Sequence, residues 1–137
     1  FLCTGNSARS QMAEALLRHY GGGRFAVCSA GTEPKGVHPL TVRVLAELGL
    51  PTDGLVSKSL DRYLDQPWDY VITVCDRAAE SCPVFPGAAT RLHWSFPDPA
   101  AVPGSPEARL AAFRAVRDAI AERVRAFVQG ARERRAR

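Results

Sequence analysis

The segment Cys3-Thr4-Gly5-Asn6-Ser7-Ala8-Arg9-Ser10 constrains this chain more than any other, because it dictates what must lie on either side. Phe1 and Leu2 before it are apolar, as the end of a buried strand would be. Beyond it, Met12, Ala13, Ala15, Leu16 and Leu17 recur at helical spacing until Gly21-Gly22-Gly23 stops the pattern. Strand, tight polar loop and helix therefore follow one another within the first twenty or so residues. Only Phe1 and Leu2 precede the loop, against about five residues in an ordinary strand, so the first strand is expected to be truncated at its N-terminus.

The same alternation continues. Residues 25–30 read as a buried strand ended by Gly31, and Pro39 opens a second helix whose Leu40, Val44, Leu45 and Leu48 share a face before Gly49. Residues 60–64 suggest a short turn or helix. Asp69-Tyr70-Val71-Ile72-Thr73-Val74-Cys75 is the clearest strand, with Cys75 at its C-terminal end. Residues 76–86 are polar and interrupted by Pro83 and Pro86, which predicts a loop or a loose short helix carrying Cys82. Residues 90–94 read as a short strand and residues 95–106 as a proline-broken loop. Leu110, Phe113, Val116, Ile120, Val124 and Phe127 form the apolar stripe of a long last helix. Strands alternating with helices specify an α/β fold with a parallel sheet covered on both faces. One domain over residues 1–137 is expected, without repeats or a linker. Ligands of such sheets sit at the C-terminal strand ends, where Cys3, Cys75 and the loop after Trp94 converge.

Composition removes several function classes. The net charge of +4 owes three charges to Arg132, Arg134, Arg135 and Arg137 against Glu133 at the C-terminus, and no aromatic residue interleaves with them. That is a solvated or fraying helix end, and no nucleic-acid partner is expected. No stretch approaches the roughly 18 apolar residues of a membrane span, and no secretory signal pattern opens the chain, so the expected compartment is the cytoplasm and no membrane partner is expected. There a structural disulfide framework is disfavoured, and Cys3, Cys28, Cys75 and Cys82 are left for metal binding, catalysis or redox work. No Cys-x-x-Cys pair occurs and His93 is the only imidazole near Cys75 and Cys82, so no metal site and no cofactor are expected. Cys28, between Val27 and Ser29, reads as core.

The chemistry of the loop follows from its composition. Backbone N–H groups of residues 4–10, the N-terminal dipole of the helix and the planar Arg9 fork all suit a tetrahedral oxyanion. Thr4, Gly5, Asn6, Ser7, Ala8, Arg9 and Ser10 are the oxyanion-binding candidates, with Gly5 expected to supply the turn and Asn6 to bond across it. The same positive field should lower the Cys3 thiol pKa and make Cys3 a nucleophile, with Ser10 donating to the thiolate.

These residues also carry a resemblance. Phe1-Leu2-Cys3-Thr4-Gly5-Asn6-Ser7-Ala8-Arg9-Ser10-Gln11-Met12-Ala13-Glu14-Ala15, continued by Ser29-Ala30-Gly31-Thr32 and Asp98-Pro99, resembles the low-molecular-weight tyrosine phosphatase fold, and most of all its thioredoxin-coupled arsenate reductases. The resemblance covers essentially the whole chain. It implies a three-layer sandwich with a four-stranded parallel sheet, order 2-1-3-4, flanked by helices. It also implies Cys3, Arg9, Asp98, Cys75 and Cys82 as catalytic residues. Cys3 would take arsenate as an arseno-thioester, Cys75 would attack Cys3, and Cys82 would then attack Cys75, leaving a disulfide for thioredoxin to reduce. Cys82-Pro83 and His93-Trp94-Ser95-Phe96-Pro97-Asp98-Pro99-Ala100 fit the reductases, and Asp98 would be the general acid.

Three departures matter. Ala100 stands where phosphatases of this fold tend to place a substrate-stacking aromatic, and Ala8 stands where many relatives carry a cysteine. Some members bind potassium through residues matching Asn6, Glu14 and Ser29, but the acidic partner expected near Ser59 and Leu60 is missing, so no metal is expected. Phosphate or sulfate should occupy the loop as readily as arsenate. The alternative is a phosphatase acting on phosphotyrosine or small phosphomonoesters with Cys3, Arg9 and Asp98 alone, and a third reading is a non-enzymatic oxyanion-binding or redox-sensing module.

Overall fold

The computed structural model describes residues 1–75 and 88–136. Within them, four strands form one parallel sheet: β1 (Leu2–Cys3), β2 (Ala30–Gly31), β3 (Trp68–Thr73) and β4 (Ala88–His93), in the order β2-β1-β3-β4. This is the order that the resemblance implies. Leu2 pairs with Ala30 on one side and Thr73 on the other, and Thr73 pairs with His93, so the C-terminal ends of β1, β3 and β4 share one edge. Right-handed parallel crossovers put every strand-to-helix loop of such a sheet on that edge.

Alternate strand residues enter different apolar clusters, as the two-residue period of a strand requires. Leu2 and Val71 pack with Ala30 and Leu60, whereas their neighbours Cys3 and Ile72 join Met12, Leu16, Val44, Leu45, Phe113, Ile120 and Val124. Both faces are therefore covered, and the α/β class holds. The helices α1 (Arg9–Gly21), α2 (Pro39–Ala46) and α3 (Pro106–Ala136) supply the larger cluster. Phe113 is fully buried in it, a contribution of about 1.5–3 kcal/mol from apolar burial alone. The 3₁₀ turn Leu60–Tyr63 supplies the other.

Two sequence readings are corrected. Residues 25–29 are not a strand: β1 begins at Leu2 opposite Ala30, so residues 25–28 have no strand beside them among the described residues to complete a ladder. Leu48 is 42% exposed, because α2 ends at Ala46, Gly49 turns left-handed (φ 75°) and Leu50 enters the core instead. The arginine-rich segment is the solvated helix end of the two expected alternatives, with Arg132, Glu133 and Arg134 exposed. The last helix continues to Ala136, and Arg134 donates to Tyr70 Oη at 3.1 Å. The predicted loop over residues 76–86, with Cys82, lies outside the described residues.

Candidate active site

The loop of residues 3–10 is shaped from outside, by its carbonyls. The Cys3 carbonyl accepts from Thr32 N at 3.2 Å, Thr4 from Glu33 N at 2.8 Å, Gly5 from Lys35 N at 2.9 Å and Ser7 from His38 N at 3.0 Å. Asn6 O accepts from Gln11 Nε2 at 3.1 Å, and Ala8 O from Met12 N at 2.9 Å. Ser57 Oγ and Thr41 Oγ1 add second bonds to Gly5 O and Ser7 O. With six successive carbonyls turned outward, the N–H groups face the concave side, and among the described residues none from Asn6 to Ser10 donates to a carbonyl. Ala8 caps α1 with no side-chain hydrogen bond, so the positive end of the helix is also free for an anion.

Asn6, not Gly5, supplies the left-handed turn, with φ 45°. Its side chain is fully buried and fully used. Nδ2 donates to Ser10 Oγ at 2.8 Å and Ser29 Oγ at 3.0 Å, and Oδ1 accepts from Lys58 N at 2.8 Å and Gln11 Nε2 at 3.1 Å. These bonds offset the cost of a positive φ at a residue with a side chain. Gly31 permits the close approach: a Cβ there would stand 2.6 Å from Thr4 O and 3.0 Å from Asn6 N. Gln11, Gly31, Ser57 and Lys58 are thus site residues that sequence reasoning missed; a buried asparagine in a tight turn, which must find four partners, was the available signal.

Cys3 is buried at the base of the loop, and its thiol is hydrogen-bonded to the Cys75 side chain. Thr4 Oγ1 lies 3.4 Å from Cys75 Sγ, so the ends of β1 and of the segment after β3 meet through three side chains. No disulfide joins Cys3 to Cys75. The expected lowering of the Cys3 pKa is overturned. The bond to Cys75 pushes it up, burial adds to this, and Cys75 repels a second negative charge; Arg9 and the Gly5 N–H pull down as anticipated and are outweighed. Two sulfurs in contact hold one negative charge between them far more easily than two. Ser10 is fully buried and accepts from Asn6, and no Ser10 bond to Cys3 occurs among the described residues.

Arg9 reaches across the mouth. Its Nη1 donates to Phe96 O at 3.1 Å, its Nη2 is 3.9 Å from Asp98 Oδ2, and its Nε is buried without a hydrogen-bond partner among the described residues. Asp98 is 45% exposed on its side chain and accepts from Ala100 N at 3.0 Å, capping the 3₁₀ turn Pro99–Ala101. It therefore has both the turn-forming role common to Asp-Pro and a place at the mouth. Cys28 is half-buried and interacts with Tyr63 rather than lying in the core. Among the described residues, no three His, Cys, Asp or Glu side chains could together hold a metal ion, and no helix is long and apolar enough to cross a membrane.

An anion cradle at the edge of a parallel sheet, closed by an arginine and floored by a thiol, defines a class. The sequence profile of the low molecular weight phosphotyrosine protein phosphatases matches residues 1–137, and the chain belongs to that family. Within it, the similarity is to arsenate reductases. The arsenate reductase of Halalkalibacterium halodurans is 44% identical over 94% of this chain and 93% of its own length. A solved arsenate reductase in the phosphate binding state superposes with TM-score 0.78 at 31% identity, covering 95% of both chains. A thioredoxin-dependent arsenate reductase of Corynebacterium glutamicum gives 0.71 at 30% identity, over 95% of this chain and 59% of that one.

Proposed function

We propose that this protein reduces arsenate to arsenite by passing oxidation from Cys3 to Cys75 and on to Cys82, with thioredoxin as the external dithiol. The observation that carries the reading is that the Cys75 side chain meets Cys3 and Thr4 at the base of the anion loop, since hydrolysis of a phosphate ester has no use for a second sulfur there. The relatives named arsenate reductase and the thioredoxin-dependent neighbour support it.

Arsenate enters the cradle of Thr4, Gly5, Asn6, Ser7, Ala8, Arg9 and Ser10. The Cys3 thiolate attacks arsenic, an S–As bond forms, and one oxygen departs as water with a proton from Asp98. Cys75 then attacks Cys3 Sγ. A Cys3–Cys75 disulfide forms, the S–As bond breaks with its electron pair on arsenic, and As(V) leaves as As(III). Cys82 attacks Cys75, releasing Cys3 as a thiol and leaving Cys75–Cys82. Two electrons and two protons from the external dithiol restore both thiols, so each cycle converts arsenate to arsenite and water. The raised Cys3 pKa fits a resting pair that shares one charge, which the loop donors stabilise.

The test is turnover with a thioredoxin system and the disulfide map after arsenate. Cys82→Ser should complete one turnover and trap Cys3–Cys75, whereas steady turnover by that variant would sink the relay. Phosphomonoester hydrolysis that survives loss of both Cys75 and Cys82, with no arsenate consumed, would instead favour the phosphatase reading.

A further inference from the structure

Beneath the loop lies a buried charge cluster that the proposed chemistry does not use. Glu14, on α1, has a side chain only 3% exposed. Its Oε2 pairs with Arg18 Nη1 at 2.9 Å, while Oε1 is buried and accepts no hydrogen bond among the described residues. Facing Oε1 at 3.7 Å is Lys58 Nζ, on a side chain 11% exposed, which donates to Val56 O at 2.7 Å. The Lys58 backbone is tied to the site twice. Its N–H donates to Asn6 Oδ1 at 2.8 Å, and its carbonyl accepts from Gly31 N at 2.8 Å. Gly31 in turn lies against the loop, where a Cβ would stand 2.6 Å from Thr4 O.

We propose that Lys58 is a positioning residue for the anion loop, a tethered cation whose ammonium balances Glu14 beneath the loop while its backbone locks Asn6 in the left-handed turn. Arg18 stays on Oε2 when the Lys58 ammonium goes, but Oε1 is then buried with neither a hydrogen bond nor a facing cation, and its desolvation is left uncompensated. The residue carrying the cation here is also the residue that holds Asn6, so loss of the ammonium loosens the segment that sets the direction of the loop N–H groups. Because the cation is covalently part of the chain, the loop needs none from solution. The inference rests on the anion-binding reading of the loop and not on the redox relay.

The experiment is calorimetric titration of inorganic phosphate into the full chain, in potassium chloride and in tetramethylammonium chloride of equal ionic strength. The wild type should bind phosphate equally in both. Lys58→Met, which keeps the length and apolar stem, should bind roughly tenfold more weakly in tetramethylammonium, the size expected for a hydrogen-bonded charge, and recover part of the loss in potassium. Lys58→Arg should retain wild-type affinity. The double variant Lys58→Met with Glu14→Gln removes both charges, should fold, and should be indifferent to the salt. Unchanged phosphate affinity in Lys58→Met in both salts would overturn the proposal, as would a potassium requirement in the wild type or equal damage by Lys58→Arg. A wild type that binds phosphate but never turns over arsenate would sink the reductase reading alone.

Discussion

Thr4 Oγ1 and Cys75 Sγ stand 3.4 Å apart, so the first residue beyond β1 holds the sulfur that follows β3. A hydroxyl can donate to a thiolate or accept from a thiol, so the contact can serve Cys75 in either protonation state of the proposed relay. Thr4→Val, close in shape but without the oxygen, should slow Cys75 alkylation and arsenate turnover about three- to tenfold, the size of one net hydrogen bond. Rates equal to wild type in both assays would show that the contact does nothing for Cys75.

The neighbouring sulfur also governs Cys3. Because the bond to Cys75 is the largest influence raising its pKa, Cys75→Ala should leave burial opposed by Arg9 and the Gly5 N–H and bring the pKa down. A raised thiol pKa means the thiolate appears only at higher pH. The alkylation rate of Cys3 should therefore rise at lower pH in Cys75→Ala than in wild type, as followed by mass spectrometry across a pH series. An unchanged midpoint would mean the two thiols are not coupled.

Arg9 combines a charge with a planar fork. Arg9→Lys keeps the first and loses the second, together with the bond to Phe96 O. Phosphate affinity should drop by roughly ten- to a hundredfold, since hydrogen bonds to charged groups contribute about 1.5–3 kcal/mol. Calorimetry on both proteins measures this directly, and a lysine that binds as well as arginine would show that charge alone suffices.

At Gly31 the constraint is space. Gly31→Ala drives a methyl group to 2.6 Å from Thr4 O, a backbone atom that cannot swing aside. Overpacking of this kind costs about 1–3 kcal/mol, to be read by urea denaturation, and the displaced loop should lose phosphate affinity as well. Full stability with full affinity would show that β1 and β2 can separate freely.

Acid stability reports on a different contact. Arg114, with Arg117 beside it, holds the Glu47 carboxyl at a pKa of about 2 by hydrogen bonding, linking α2 to α3. A carboxylate with a lowered folded-state pKa stabilises above its ordinary value near 4.5, and that contribution fades as pH falls toward 2. Glu47→Gln should consequently be less stable than wild type at neutral pH, and the two should converge near pH 2. A constant difference across that range would assign the effect to packing.

Much of this was legible because the signals are local. The helical spacing of Met12, Leu16 and Leu17, the stripe from Leu110 to Phe127 and the strand around Val71 each need only their own neighbourhood. The misreadings came where a distant partner decides. Gly5 and Asn6 can both take a turn, and Asn6 takes it because Ser29 and Lys58 meet its side chain. Residues 25–29 look like a strand and lack a neighbour to pair with. Arg9 and a helix N-terminus argue for an acidic Cys3 thiol, but the contact with Cys75, seventy-two positions away in the chain, reverses the direction.

The outward carbonyls of residues 3–8 are held by residues as far along the chain as Ser57. The cradle is consequently a property of the whole fold, and the octapeptide cut free would be no receptor. Thermodynamic linkage then runs both ways: an anion that binds only the intact cradle draws the folding equilibrium toward the native state by RT ln(1 + [L]/Kd), so each tenfold excess of the free anion over its dissociation constant adds about 1.4 kcal/mol of resistance to unfolding for the entire molecule.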